Sequence, residues 1–388
     1  MENLTQDRFI LSYSEEQNII RESIKNFAHQ KIKPVFMEYD EKQEFPKKIL
    51  SELGELGFMG ILVPEKFGGS NLGYIEYAII VEELAFIDPS ISLSVAAHNG
   101  LCTNHINLFA NEELKTKYLP DLASGRKIGA WGLTEPGSGS DAAALSTTAV
   151  KDGDYYILNG TKNFITHGNV GEIAVVMAIT EKEKGKKGIS AFIVEKGTSG
   201  FSSGKKENKL GMRASETTQL IFENCKVPAE NLIGEEGDGF IQAMKILEGG
   251  RISIAALSIG LTRGCLENSV KYAQERKQFK KPIFDFQAIQ FKLADIATEL
   301  EAARLMTYKA AFNKDAGKDI NKEASIAKLF ASEIATKAAN ESVQIFGGYG
   351  FTKDYPVEKF YRDVKLLTIG EGTSEVHKII IARNLINQ

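Results

Sequence analysis

A chain of 388 residues with a 43% apolar share has material for roughly two to three domains with proper cores. Lys and Arg number 47 against 51 Asp and Glu, and the net charge of -4 gives no electrostatic reason to expect a nucleic-acid partner. Cys102, Cys225 and Cys265 lie far apart with no CxxC pair, which argues against a disulfide framework or a thiolate zinc site and fits a reducing cytoplasm.

The first residues, Met1-Glu2-Asn3-Leu4-Thr5-Gln6-Asp7, have neither the apolar run of a signal peptide nor the Arg-rich bias of a transit peptide. No apolar stretch reaches the roughly 18 residues of a membrane span, so a cytoplasmic protein is expected. Over 1–127 the apolar spacing is helical, as in Ile19, Ile20, Ile24, Phe27 and Ala28, then Leu50, Leu53 and Leu56. Pro46 opens the helix around Leu50 and Gly57 closes it. A further helix is predicted from about Tyr74 to Phe86, and Asn111 is placed to cap the next. This segment reads as an N-terminal all-α domain.

Over 128–235 the pattern shortens to alternating or β-branched runs separated by turn residues, which predicts a small β domain. Its clearest hairpin runs from Thr147 to Lys151, turns at Asp152-Gly153, and returns from Asp154 to Leu158. Strands are also predicted at Ile173 to Ile179, Ser190 to Val194 and Gln219 to Phe222, with the lysine-rich run Glu181 to Lys187 as a solvated hairpin tip. Over 236–388 the helical period returns at Ile241 to Arg276, Gln287 to Phe312, Ala324 to Phe346 and from Thr373. Such long helices predict a C-terminal bundle that also packs against partner subunits.

Several segments bear on chemistry. Trp131-Gly132-Leu133-Thr134-Glu135-Pro136-Gly137-Ser138-Gly139-Ser140-Asp141 collects glycines and hydroxyls directly after a strand, where backbone N–H groups can approach an anion or a flavin ring. The same spacing also describes a tight β-turn. Neither GxGxxG nor a Walker A run is present, and no βαβ alternation appears. Gly200-Phe201-Ser202-Ser203-Gly204 matches GxSxG, but Lys205-Lys206-Glu207-Asn208-Lys209 follows where a nucleophile elbow needs an apolar helix. His29, His98, His105, His167 and His377 lack metal-binding spacing, so no metal is expected. Gly249-Gly250 inside a helix implies close approach, by a neighbouring helix or by a ligand. Glu371 stands between Gly370 and Gly372 at the entry to the last helix, a place either for a projecting carboxylate with free N–H groups or for a helix-capping loop.

Taken together and in order, six blocks resemble the acyl-CoA dehydrogenase family over essentially the whole chain. They are Leu133 to Asp141, Lys162-Asn163-Phe164-Ile165-Thr166, Gly211-Met212-Arg213, Glu275-Arg276-Lys277-Gln278-Phe279, Gln344-Ile345-Phe346-Gly347-Gly348 and Glu371-Gly372-Thr373-Ser374-Glu375. The resemblance implies a mixed, mainly α fold: an N-terminal helical domain, a small central β domain and a C-terminal four-helix bundle. It also implies a homotetramer, a dimer of dimers, with FAD between the β and C-terminal domains.

Carried over residue by residue, the resemblance assigns Trp131, Leu133, Thr134, Gly139 and Ser140 to the loop along the flavin. Phe164, Ile165 and Thr166 fall against its ring, where the family often has Trp in place of Phe164. Arg276, Gln278, Phe279, Gln344, Gly347 and Gly348 fall to FAD contacts across a subunit boundary, with Gln287 a further match, and Thr373 and Glu375 to the last loop. Ser140, Glu248, Arg251 and Gly372 fall to the substrate. Glu371 resembles the family's base, with its own amide in the oxyanion hole; a dry site would raise its pKa.

The implied reaction takes a short-chain acyl-CoA thioester, straight or branched, to the trans-2-enoyl-CoA, with the β-hydride passing to flavin N5 and electrons on to an electron-transfer flavoprotein. Two departures stand out. Gly250 occupies the position where some branches carry the base, and Gly370 stands where Tyr is common, which implies a wider pocket. The competing readings are a flavin oxidase or monooxygenase on the same fold, a dehydrogenase of medium-chain or carrier-protein-bound acyl groups, and a flavin-free relative.

Overall fold

In the computed structural model, which describes residues 12–386, the first third is helical. Helix α1 (Glu15–Phe27) opens with a capping box in which Ser14 and Gln17 satisfy each other's backbone N–H groups. It buries Ile24 and Phe27, whereas Ile19, expected in the same stripe, is 64% exposed. After α2 (Phe36–Lys42), α3 (Lys47–Glu55) follows Pro46 and stops ahead of Gly57, whose φ of 82° suits the reversal of the chain. Next come α4 (Tyr74–Ile87), α5 (Pro89–Ala97), α6 (Asn104–Phe109) and α7 (Glu112–Ala123), the last capped by the Asn111 side chain. Helix α5 is buried on every side, so no amphipathic period announces it.

The middle of the chain forms one twisted sheet. Its strands are β1 (Gly129–Gly132), β2 (Thr148–Asp152), β3 (Tyr155–Thr166), β4 (Ile173–Ile179), β5 (Ile189–Glu195), β6 (Phe201–Ser203), β7 (Thr217–Pro228) and β8 (Leu232–Ile233). They run in the order β6-β7-β3-β2-β4-β5-β8, with β1 parallel to β4. The β2–β3 hairpin closes at Asp152 opposite Tyr155, around Gly153 at φ 58°. Strand β6 carries Ser202 and leads into an irregular segment, so the GxSxG match is not a nucleophile elbow.

The last third consists of α8 (Gly239–Glu275), a short β9 (Lys277–Gln278) and β10 (Lys281–Pro282) hairpin, α9 (Gln287–Asp315), α10 (Asn321–Phe346), α11 (Val357–Asp363) and α12 (Ser374–Ile386). One core cluster joins it to the first third, through Leu50, Tyr77 and Leu84 on one side and Leu257, Ala331 and Leu367 on the other. This shared core lays α4 against α8. Lys359, fully buried, bridges Asp88 at 2.6 Å and Asp363 at 2.5 Å, and Asp363 also accepts from the Met212 N–H. Arg213 in turn donates to the Asp40 carbonyl. The Gly211-Met212-Arg213 block therefore clasps the sheet domain to both helical parts. Among the described residues no helix is long and apolar enough to cross a membrane.

Candidate active site

The 3₁₀ turn Val364–Thr368 runs out through the Gly370 N–H, which donates to the Leu366 carbonyl at 2.7 Å. Two left-handed residues follow, Glu371 at φ 54° and Gly372 at φ 101°. The Thr373 hydroxyl then accepts from Val376 N–H at 3.3 Å at the start of α12. Of the two glycines that flank the carboxylate, Gly372 does take the unusual conformation and Glu371 takes it too, whereas Gly370 has ordinary room, with Leu366 3.4 Å from where a Cβ would sit. A non-glycine residue held left-handed is costly and marks a constraint imposed by its surroundings.

The constraint is visible at the carboxylate. A Cβ placed on Gly250 would lie 1.6 Å from Glu371 Oε2, so the carboxylate occupies the space that any side chain at 250 would need. Oε2 reaches neither water nor a hydrogen-bond partner. Burial pushes the Glu371 pKa up to about 7, against the pull of Lys328 and Arg251. Arg251 is buried and donates to Asn321 Oδ1 at 2.6 Å, with its Nε unpaired. Beneath Gly372 lies His377, whose ring faces the Glu371 and Gly372 backbone; burial holds its pKa at about 3.

One residue earlier on α8, a Cβ at Gly249 would meet the Tyr74 hydroxyl at 2.6 Å. The glycine pair thus admits Tyr74 on one side and Glu371 on the other. Glu248, assigned to the substrate from the sequence, ion-pairs with Lys314 at 3.4 Å and is not beside the Glu371 carboxylate.

On the sheet side, Glu135 and Ser138 exchange backbone hydrogen bonds across Pro136-Gly137, so the glycine-rich loop does contain a tight turn. Glu135 points inward. It accepts from Lys162 Nζ at 2.6 Å and from the N–H groups of Ser146 and Thr147. The loop is tied to β3 again by Asn163 N–H donating to the Thr134 carbonyl at 2.8 Å. Just beyond, the β3–β7 register slips between Lys162 and Ile165, and the bulge turns Phe164 left-handed at φ 56° with its ring 63% exposed. Leu133 and Ile165 are buried, Gly139 and Ser140 are exposed, and Thr166 is half-buried. The Trp131 indole N–H is taken by His105 Nδ1 at 3.0 Å.

At the far end of α8 and α10, Arg276, Gln278, Gly347 and Gly348 line a cleft of about 470 Å³ with Tyr272 and Tyr349. Phe279, 88% exposed, and Lys280 form the left-handed tip of the β9–β10 hairpin beside it. Gln287 and Gln344 are exposed and lie outside the cleft lining, whereas Thr373 lies in the loop after Glu371 and Glu375 in the first turn of α12. The sequence reading missed Tyr74 and Lys328. Lys328 was legible in principle, since it shares the small-residue face of Ala324, Ala331 and Ala335, all buried.

Three family models cover the chain: acyl-CoA dehydrogenase N-terminal domain over residues 14–126, middle domain over 130–225 and C-terminal domain over 237–386. A short-chain-specific acyl-CoA dehydrogenase of Clostridium acetobutylicum is 47% identical over 95% of this chain and 97% of its own. The caffeyl-CoA reductase-Etf complex subunit CarC of Acetobacterium woodii is 45% identical over 97% of this chain and 100% of its own. The structure of butyryl-CoA dehydrogenase from Megasphaera elsdenii superposes with a TM-score of 0.95 at 44% identity, covering 97% of this chain and 100% of that one. The chain belongs to the acyl-CoA dehydrogenase family of flavin-dependent oxidoreductases acting on CH–CH bonds.

Proposed function

We propose that this protein oxidises a short-chain acyl-CoA thioester, branched chains included, to the trans-2-enoyl-CoA, with Glu371 removing the α-proton. The observation that carries the reading is the Glu371 carboxylate, set against Gly250 with Oε2 dry and unpartnered and its pKa near 7. A thioester α-proton is far less acidic than a carboxyl group, so the base must be fixed, desolvated and matched to the working pH. The Glu371 amide donates to the thioester carbonyl as charge develops there, and buried Arg251 adds a positive field. Tyr74 fills the space beside Gly249, the residue before Gly250, and that blocked side supports a short acyl chain.

FAD is the cofactor and, when bound, supplies the hydride acceptor for the β-hydrogen. The chain fits it: the places where Cβ atoms would stand on Gly137, Gly139, Gly347 and Gly348 are open, so those backbones can be approached closely, and Arg276 and Gln278 bring polar donors to the cleft. Trp131, Leu133, Thr134, Ser140, Phe164, Ile165 and Thr166 hold it on the sheet side, with Phe279, Gln287, Gln344, Thr373 and Glu375 completing the set. The exposed rings of Phe279 and Phe351, next in sequence to the cleft residue Gln278 and the cleft residue Thr352, support a second subunit covering the cleft, as in the homotetramer proposed for the chain.

Electron-transfer flavoprotein is the proposed redox partner, supported by the relative named as part of an Etf complex. That relative is named a reductase, and a protonated Glu371 would deliver the proton to the α-carbon in the reverse direction. Direction therefore depends on the electron partner. The deciding experiment is Glu371→Gln, which keeps the shape and the amide but removes the accepting charge. FAD and butyryl-CoA should still bind while flavin bleaching by butyryl-CoA slows about 10²- to 10⁴-fold. Bleaching within about tenfold of the parent would pass the role to another carboxylate, Glu248 first.

A further inference from the structure

The base loop is gripped from α10. Lys328 is fully buried, and its ammonium donates to the carbonyl of Gly372, the residue directly after the base, at 2.7 Å. That carbonyl belongs to the left-handed pair that turns Glu371 onto Gly250. A second tie comes from the same helix, where Glu333 accepts from the Ser374 hydroxyl at 2.6 Å. An ammonium is expensive to bury, and a neutral carbonyl offsets that poorly. Its place is explained if the charge serves the carboxylate nearby.

We infer that Lys328 is the positioning residue of the base: through the Gly372 carbonyl it holds the loop that aims Glu371, and its charge favours the ionised carboxylate. This rests on the base assignment above. The groups facing Glu371 come from every element around it. Arg251 on α8 and Lys328 on α10 are the cations. Tyr77 on α4 has its pKa raised by burial, and His377 on α12 has its pKa lowered by burial, so both stay neutral. Glu333 on α10 and Glu375 on α12 also favour the charged form of Lys328. Burial lowers the Lys328 pKa to about 8 although Glu371 pulls it up, so the two groups hold each other charged over a narrow window around neutrality.

Three variants separate grip from charge. Lys328→Arg keeps the charge, Lys328→Gln keeps a donor without charge, and Lys328→Met keeps neither. FAD-loaded protein is mixed with butyryl-CoA between pH 5.5 and 9.5 to follow flavin bleaching. The protonated-carboxyl infrared band that disappears in Glu371→Gln is titrated in parallel without substrate. In Lys328→Gln both the acid limb and the infrared titration should move up by roughly one pH unit, a tenfold loss of rate below the limb. Lys328→Arg should leave them in place. Lys328→Met should show the same shift and lose at least a further tenfold at pH 9.5, where the base is ionised. An unmoved infrared titration in Lys328→Gln overturns the charge role, and if Lys328→Met does not fold, this variant still decides. A Lys328→Met rate at pH 9.5 equal to that of Lys328→Gln overturns the grip. Bleaching that survives Glu371→Gln sinks the base assignment instead, whatever the Lys328 variants do.

Discussion

Glu371 and Gly250 share one space: a Cβ at 250 would stand 1.6 Å from Glu371 Oε2 and 2.6 Å from its Cδ. Both of the nearest atoms belong to the carboxyl group, so a methyl there must drive it off its position. Gly250→Ala should therefore keep the fold, since alanine suits a helix better than glycine. It should nevertheless slow flavin bleaching by butyryl-CoA about 10²-fold, the usual cost of displacing a catalytic group by about an ångström. Stopped-flow bleaching with the FAD content measured on the same sample checks this, and parental rates would mean that the carboxylate works from another position.

The raised pKa of Glu371 has a sign that can be tested twice. In kinetics, the base is ionised only above about 7, so kcat/KM should fall tenfold per pH unit on the acid side of that value. In stability, a carboxyl whose folded pKa exceeds its ordinary 4.5 contributes stability that is fully present below about 4.5 and lost as pH rises through about 7. The gap corresponds to on the order of 3 kcal/mol. Glu371→Gln should thus melt higher than the parent at pH 8.5, with the difference narrowing toward pH 5. A constant difference in melting temperature across that range would remove the buried, ionised carboxylate from the account.

Glu135 and Lys162 fix the loop that the family resemblance assigns to FAD. Burial would push Glu135 up, but the Lys162 charge and hydrogen bonds from Lys162, Ser146 and Thr147 hold it at about 2, while burial lowers Lys162 to about 8. Glu135→Leu strands a buried ammonium and should cost about 3 to 5 kcal/mol. Adding Lys162→Met should recover most of the stability, because an apolar pair leaves no buried charge unmatched. FAD retention should not recover with it, since the Ser146 and Thr147 N–H groups still lack their acceptor. Thermal melts and the flavin-to-protein absorbance ratio of the single and double variants decide the point.

The order of helical, β and helical segments was legible because each has its own period: Ile24 and Phe27 by helical spacing, and β4 as an unbroken apolar strand. Segments without a period were not legible. Helix α5 is buried all round, and α11 is seven residues long and carries the buried Lys359. In the site, Glu371 stood out because glycines flank it; Gly372 does turn left-handed, and Glu371 turns with it. The Glu371 carboxylate meets Gly250, 121 positions away, and no local pattern announces that contact. Tyr74 looks like an ordinary helix residue until α4 is folded against α8, and Lys328, marked in the sequence only by its place on the alanine face of α10, meets the Gly372 carbonyl only once the chain is folded.

Tyr74 should set the acyl length. Its hydroxyl stands 2.6 Å from the Cβ place of Gly249 and accepts from Asn104 Nδ2 at 3.0 Å. The ring packs edge-on to Tyr77, and Asp315 accepts from the backbone N–H groups of Tyr74 and Ile75 at 2.7 and 3.1 Å. A side chain held at backbone, ring and hydroxyl cannot swing aside for a longer substrate. Tyr74 and Glu371 meet adjacent residues of α8, Gly249 and Gly250. The two glycines therefore do not deepen the pocket, as their small size alone would suggest, because Tyr74 and Glu371 fill what they vacate. Tyr74→Ala opens that wall, and each added methylene then gains up to about 0.8 kcal/mol of burial. The ratio of kcat/KM for octanoyl-CoA over butyryl-CoA should rise at least tenfold, with the pH limb unmoved because the base is untouched. Tyr74→Phe should keep the parental ratio, since the ring and not the hydroxyl blocks the way. An unchanged ratio in Tyr74→Ala would place the end of the pocket elsewhere.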